Sequence, residues 1–166
     1  MTETRTTTGT AKVTLPADDR ILITREFAAP RHLVYRAWTT PDLVKRFWAG
    51  KRGTMKTVEI DLRVGGRWRY AMEANGGFEV SFHGEYREIV PNERLVHTEV
   101  YEQSGASDED AVLVTTTFAG TGDRTTLTLL TETGSKEVRD AIIESGMEGG
   151  LQEQLDALEE LAVSLA

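Results

Sequence analysis

The chain contains no cysteine, which excludes disulfide frameworks, thiolate metal sites and cysteine nucleophiles. That absence fits a reducing compartment, and the expected location is the cytoplasm. No apolar run approaches the ~18 residues of a membrane-spanning helix. The Thr-rich start, residues 1–18, lacks the apolar stretch of a secretory signal. It reads as a flexible tail, followed by a single domain over 19–166. The three histidines, His32, His83 and His97, stand at no zinc-ligand spacing and in no H-E-x-x-H pattern. No metal and no cofactor is implied. There is no G-x-S-x-G elbow, and Gly65-Gly66 and Gly76-Gly77 lack the strand-to-helix setting of a phosphate loop. A net charge of −8 argues against general nucleic-acid binding, which needs a basic face.

The 166 residues that are present suffice to bury one core. Arg20 to Phe27 alternates Ile21, Ile23 and Phe27 against Leu22, Thr24 and Glu26, the pattern of a half-buried strand. After Pro30, a helical stripe of Leu33, Val34, Ala37 and Trp38 follows. Thr40 is placed to cap a second short helix with Pro41 at its first position, carrying Leu43, Val44, Phe47 and Trp48. From Met55 the period switches to two. Trp68 and Tyr70 face one way, and so do Phe78, Phe82 and Tyr86. Asn75-Gly76 signals a type I′ hairpin turn. In Leu95–Tyr101 two faces compete, Val96, Thr98 and Val100 against His97 and Tyr101, and the pattern leaves the choice open. Six or so strands joined by short turns predict an antiparallel meander. Ser135 caps a last helical region in which Gly146, Gly149 and Gly150 signal a break, a close backbone approach or room for a ligand, and Leu151, Leu155 and Leu158 keep helical spacing.

The expected fold is therefore α+β: a curved antiparallel sheet closed by a long C-terminal helix, with two short helices after the first strand. In such an arrangement the inward aromatic set either fills the core or walls a cavity. The candidate cavity residues are Trp38 and Trp48 from the helices, and Trp68, Tyr70, Phe82, Tyr86 and Phe118 from the strands. His97, Tyr70, Tyr86 and Arg69 are candidates for its polar groups; Met147, Gly150 and Leu151 join it from the last helix, and Gly146, Gly149 and Gly150 are expected to line its mouth. His83 and Glu85 share a polar strand face, where an acid/base pair is conceivable. The segment 45–69 holds eight basic residues against Glu59 and Asp61. Lys45, Arg46, Lys51 and Arg52 form its candidate patch for a protein partner.

Several stretches together resemble the bacterial single-domain relatives of the Hsp90 ATPase activator, within the START/Bet v1-like superfamily. They are Arg25-Glu26-Phe27-Ala28-Ala29-Pro30, Val34-Tyr35-Arg36-Ala37-Trp38-Thr39-Thr40-Pro41, Phe47-Trp48, 61–68, 84–89 and the tail Gly146-Met147-Glu148-Gly149-Gly150. The resemblance implies a helix-grip fold, with a small apolar or amphipathic ligand held between sheet and helix. It also implies two alternatives, a chaperone-modulating interaction module and a cyclase- or hydratase-type enzyme using the same cavity. Monomer and homodimer both stay open.

Overall fold

The computed structural model describes residues 11–166 in full and the backbone of 3–6. Strands β1 (Glu3–Thr6), β2 (Lys12–Ala17) and β3 (Arg20–Phe27) lead into helices α1 (Arg31–Thr39) and α2 (Pro41–Phe47). A meander follows: β4 (Gly53–Ile60), β5 (Arg67–Ala74), β6 (Glu79–Val90), β7 (Arg94–Tyr101), β8 (Val112–Ala119) and β9 (Thr125–Glu132). Helices α3 (Lys136–Glu144) and α4 (Met147–Ser164) close the chain. The sheet order is β1-β2-β3-β9-β8-β7-β6-β5-β4, antiparallel at every step. The core lies between this sheet and helices α1, α2 and α4, with Phe27, Phe118 and Leu127 from strands meeting Val34, Val44, Leu155 and Leu158. This is the expected helix-grip α+β fold.

Helix α4 is fixed to the sheet by polar bonds as well as by its leucines. Arg25, 3% exposed on β3, donates to Asp156 at 2.8 Å and to Glu159 at 2.9 Å. A buried guanidinium is costly unless its charge is matched, so the pairing sets where α4 lies. Glu159 also accepts from the Ala28 amide at 2.8 Å. Farther back on α4, the buried Gln152 side chain bonds both backbone groups of Ala11. The break before α4 falls at Gly146, whose φ of 84° favours glycine. Ser135 caps α3 as expected, accepting from the Val138 amide at 3.2 Å.

Four expectations need correction. The supposed flexible tail joins the sheet over Lys12–Ala17, because Val13 and Leu15 alternate with polar neighbours and are buried against the core. Residues 1–10 of that tail, apart from the backbone of 3–6, lie outside the described residues. The β5–β6 hairpin places positive φ at Gly76 and Gly77, not at Asn75. Asn75 instead donates from its backbone and side chain to the carbonyls of Arg52 and Lys51. Phe78 consequently sits in the turn, exposed. Thr40 does not cap α2, since its hydroxyl donates back to the Arg36 carbonyl at 2.6 Å.

One close approach organises the meander. The Trp68 indole crosses over Gly84, its cross-strand neighbour, and donates to the Thr98 carbonyl on β7 at 3.2 Å. A Cβ on Gly84 would collide with that carbonyl and lie 2.6 Å from the indole nitrogen. Gly84→Ala is therefore expected to destabilise the fold by about 1–3 kcal/mol, the usual cost of overpacking a fixed core. Chemical denaturation of the variant measures it, and an unchanged midpoint would refute the constraint.

Candidate functional site

The site grows from three adjacent strands and the two short helices. On β5, period two sends Trp68 and Tyr70 inward. On β6, Tyr86 faces inward, and its backbone is clamped by the Gly65-Gly66 turn: Gly65 N–H donates to its carbonyl at 2.8 Å, and its own N–H to Gly66 at 2.9 Å. A register shift between Tyr86 and Glu88 brings Tyr86 opposite His97 and Ile89 opposite Leu95. That register settles the facing of β7. Leu95, His97 and Glu99 point inward, while Val96, Thr98 and Val100 point out. Helix α1 contributes Trp38, and α2 contributes Phe47 with Trp48 just beyond its end.

These residues line a partly open cavity of about 50 Å³. A space of this size holds a few waters or one small polar group, and not a whole lipid or sterol. The rings meet edge to face or tilted around it. Trp48 meets Tyr70 at 5.5 Å, Trp68 meets Tyr70 at 4.9 Å, and His97 meets Trp68 at 5.2 Å. Such pairs add to plain burial and keep the wall rigid.

The polar groups in this wall are strongly perturbed. Tyr70, His97 and Glu99 are half-buried, and all three line the cavity. Burial pushes the Glu99 carboxyl up to about 7. Burial also lowers the His97 imidazole to about 4, against the contrary pull of the Thr98 carbonyl 3.1 Å from its Nδ1. The ring is therefore neutral at pH 7, with its proton on Nδ1 facing that carbonyl and Nε2 left as an acceptor. Burial raises both tyrosines, reinforced at Tyr70 by the charges of Tyr86 and Glu99 and at Tyr86 by Tyr35. No described residue donates a hydrogen bond to the Glu99 carboxylate.

Of the residues expected at a cavity, Trp38, Trp48, Trp68, Tyr70, Tyr86 and His97 come together. Phe82 stands beside them, against Trp48 at 5.5 Å and Tyr101 at 5.1 Å. Phe118 fills the core behind Trp38 and Tyr35. Met147 and Leu151 pack on that core rather than on the cavity. Gly150, with Gly149, is a seat for the Arg52 side chain: a Cβ at Gly149 would lie 2.8 Å from its guanidinium. Arg69 faces the other side of the sheet, bound to Glu102 by two contacts of 2.9 Å.

His83 shares that outer face, but its partners are not Glu85, which pairs with Arg87. Its ring lies 2.7 Å from Asp108 and 2.9 Å from Glu102, both in the acidic loop after β7. Asp108, with Glu102 behind it, raises the His83 pKa against the opposing effect of partial burial. The basic segment is largely matched within the chain, since Arg52, Lys56, Arg63, Arg67 and Arg69 each have an acidic partner. Lys45, Arg46 and Lys51 stay exposed.

The residue that sequence reasoning missed is Glu99. Its one signal was its period-two relation to Leu95 and His97, and that signal is unreadable until the facing of β7 is known.

Comparison with known proteins agrees with this architecture. The family model described as Activator of Hsp90 ATPase homolog 1-like protein matches residues 28–162. The chain belongs to this family. A solved protein from Rhodobacter sphaeroides superposes with a TM-score of 0.84 at 23% identity, covering 93% of this chain and 98% of that one. One from Chromobacterium violaceum gives 0.72 at 28% identity, with 86% and 96% covered. One from Nitrosomonas europaea gives 0.79 at 24%, with 90% and 97% covered. No curated protein matches the chain. Neither the family description nor these structures assign a ligand, so function rests on the site.

Folding raises the Glu99 pKa, so its contribution to stability is intact below the unfolded value of about 4.5 and is lost as pH rises through about 7. Glu99→Gln removes the ionisation. The variant is expected to match the parent near pH 4 and to exceed it above pH 7 by on the order of 3 kcal/mol. Denaturation midpoints across pH read this difference, and equal stability at pH 8 would contradict it.

Proposed function

We propose that this family member binds a small amphipathic molecule, or the polar end of a larger one, in the aromatic cavity between β5–β7 and α1–α2. One observation carries the reading: an aromatic wall surrounds Glu99, Tyr70 and Tyr86, whose polar groups accept or donate no hydrogen bond among the described residues. No protein group pairs with these atoms, so they are left to water or to a ligand that enters the cavity. Sites for small molecules combine an apolar wall with a few convergent polar atoms.

The same cavity supports a second reading. A carboxyl titrating near 7 beside a neutral imidazole suits proton transfer at working pH. This favours a cyclase- or hydratase-type activity with Glu99 as the acid or base. A chaperone-modulating role through 45–69 has weaker support, because most of that segment's charge is spent on partners within the chain.

All three tryptophans of the chain line the cavity, so intrinsic fluorescence reports its occupation. A panel of two- to six-carbon alcohols, amines and acids is expected to include members that shift the emission saturably. Leu95→Phe, which pushes a ring into the space, is expected to abolish the shift while the variant stays folded by circular dichroism. No saturable response, or one that survives in the folded Leu95→Phe protein, would overturn the cavity assignment.

A further inference from the structure

We infer that Glu99 makes the cavity selective for small protonated amines. This rests on the cavity reading above and names the ligand chemistry. Two independent features of the geometry point to a cation. The first is the wall: Trp38, Trp48, Trp68, Tyr70 and Tyr86 present π systems to one small space. Ring faces attract ammonium groups, most strongly where water is excluded. The second is the charge. Glu99 is a carboxylate inside that wall, with no Lys or Arg among the lining residues and no described hydrogen-bond donor aimed at it.

A part-buried carboxylate set among rings with no protein donor has lost some of its hydration, and a bound cation is what offsets that loss. The remaining polar atoms agree. His97 offers Nε2 as an acceptor because its Nδ1 proton faces the Thr98 carbonyl. An ammonium has donors and no acceptor, so a carboxylate and a bare imidazole nitrogen complement it. The Tyr70 and Tyr86 hydroxyls can donate to an anion, but the Glu99 carboxylate in the same wall repels it. A neutral alcohol gains less from the rings and leaves the carboxylate uncompensated. Size limits the class: about 50 Å³ takes the ammonium end of a small amine, with its carbon tail at the opening.

The pH dependence follows from the groups that face Glu99. Tyr70 from β5 and Tyr86 from β6 stay protonated through the neutral range, and His97 on β7 stays neutral above about 4. Helices α1 and α2 present Trp38, Phe47 and Trp48, which carry no charge. Glu99 is thus the group that titrates, near 7. An alkylamine keeps its proton to about pH 10, as lysine does. Amine binding is therefore expected to strengthen as pH rises through 7, by about ten-fold or more between pH 5.5 and 8.

The test uses the full chain, with ethylammonium chloride and ethanol as matched probes and sodium chloride at equal ionic strength as control. Tryptophan emission and the indole N–H resonances give the Kd, expected in the millimolar range for so small a ligand. The expected result is binding of ethylammonium at pH 8, weakening toward pH 5.5, with ethanol at least ten-fold weaker. In Glu99→Gln the amine should lose at least ten-fold in affinity and its pH dependence, while ethanol binding persists. If ethanol binds as well as ethylammonium, or Glu99→Gln leaves amine affinity unchanged, the cation selectivity is wrong and the cavity reading stands. If neither probe perturbs the indoles, both fail together.

Discussion

A strand that turns Leu95 into the core must turn His97 and Glu99 the same way. This period-two constraint on β7 is what the cavity depends on. Three features hold it in place: the pairing of Tyr86 with His97, the bulge that follows Tyr86, and the Trp68 indole bonded to the Thr98 carbonyl across Gly84. None of these bonds serves the inward polar groups directly. They fix the register, and the register then forces two titratable side chains into an aromatic shell. Slipping β7 by one residue would bring Val96, Thr98 and Val100 inside and leave an ordinary apolar core.

Around that constraint the rest of the molecule acts as a lid and a frame. Arg25, Asp156 and Glu159 fix α4 against β3, and Gln152 ties the same helix to the start of β2. The glycines at 149 and 150 let the Arg52 side chain lie across α4, where Glu153 holds it. Helices α1 and α2 are then wedged between α4 and the sheet with their tryptophans inward. The cavity is small because these pieces fit closely. Enlarging it would require α2 and Trp48 to move away from Tyr70 and Phe82.

Much of this was legible in the sequence. The alternation in β3, the Pro41 start of α2, the six-strand meander and the break at Gly146 all follow from local periodicity and backbone preference. So does the inward set of Trp68, Tyr70 and Tyr86, because aromatic residues alternate there with charged ones. The failures have physical causes. Strand β2 was hidden in a Thr-rich stretch whose two apolar residues, Val13 and Leu15, gave too short a pattern. The roles of Asn75, Thr40 and Gly150 were decided by tertiary partners that sequence spacing does not contain. Glu99 was overlooked because β7 carries apolar residues on both faces, so hydrophobicity could not orient it. A carboxylate was also the last residue to expect inside.

The account depends on Glu99 being enclosed with no donor beside it. A carbon-detected titration of the side-chain carboxyls, assigned through Glu99→Gln, measures this in the intact protein. The account predicts a midpoint near 7, well above the ordinary glutamate range of about 4.3. A midpoint in that ordinary range would mean the carboxyl stands in bulk water, and the site as described would not exist.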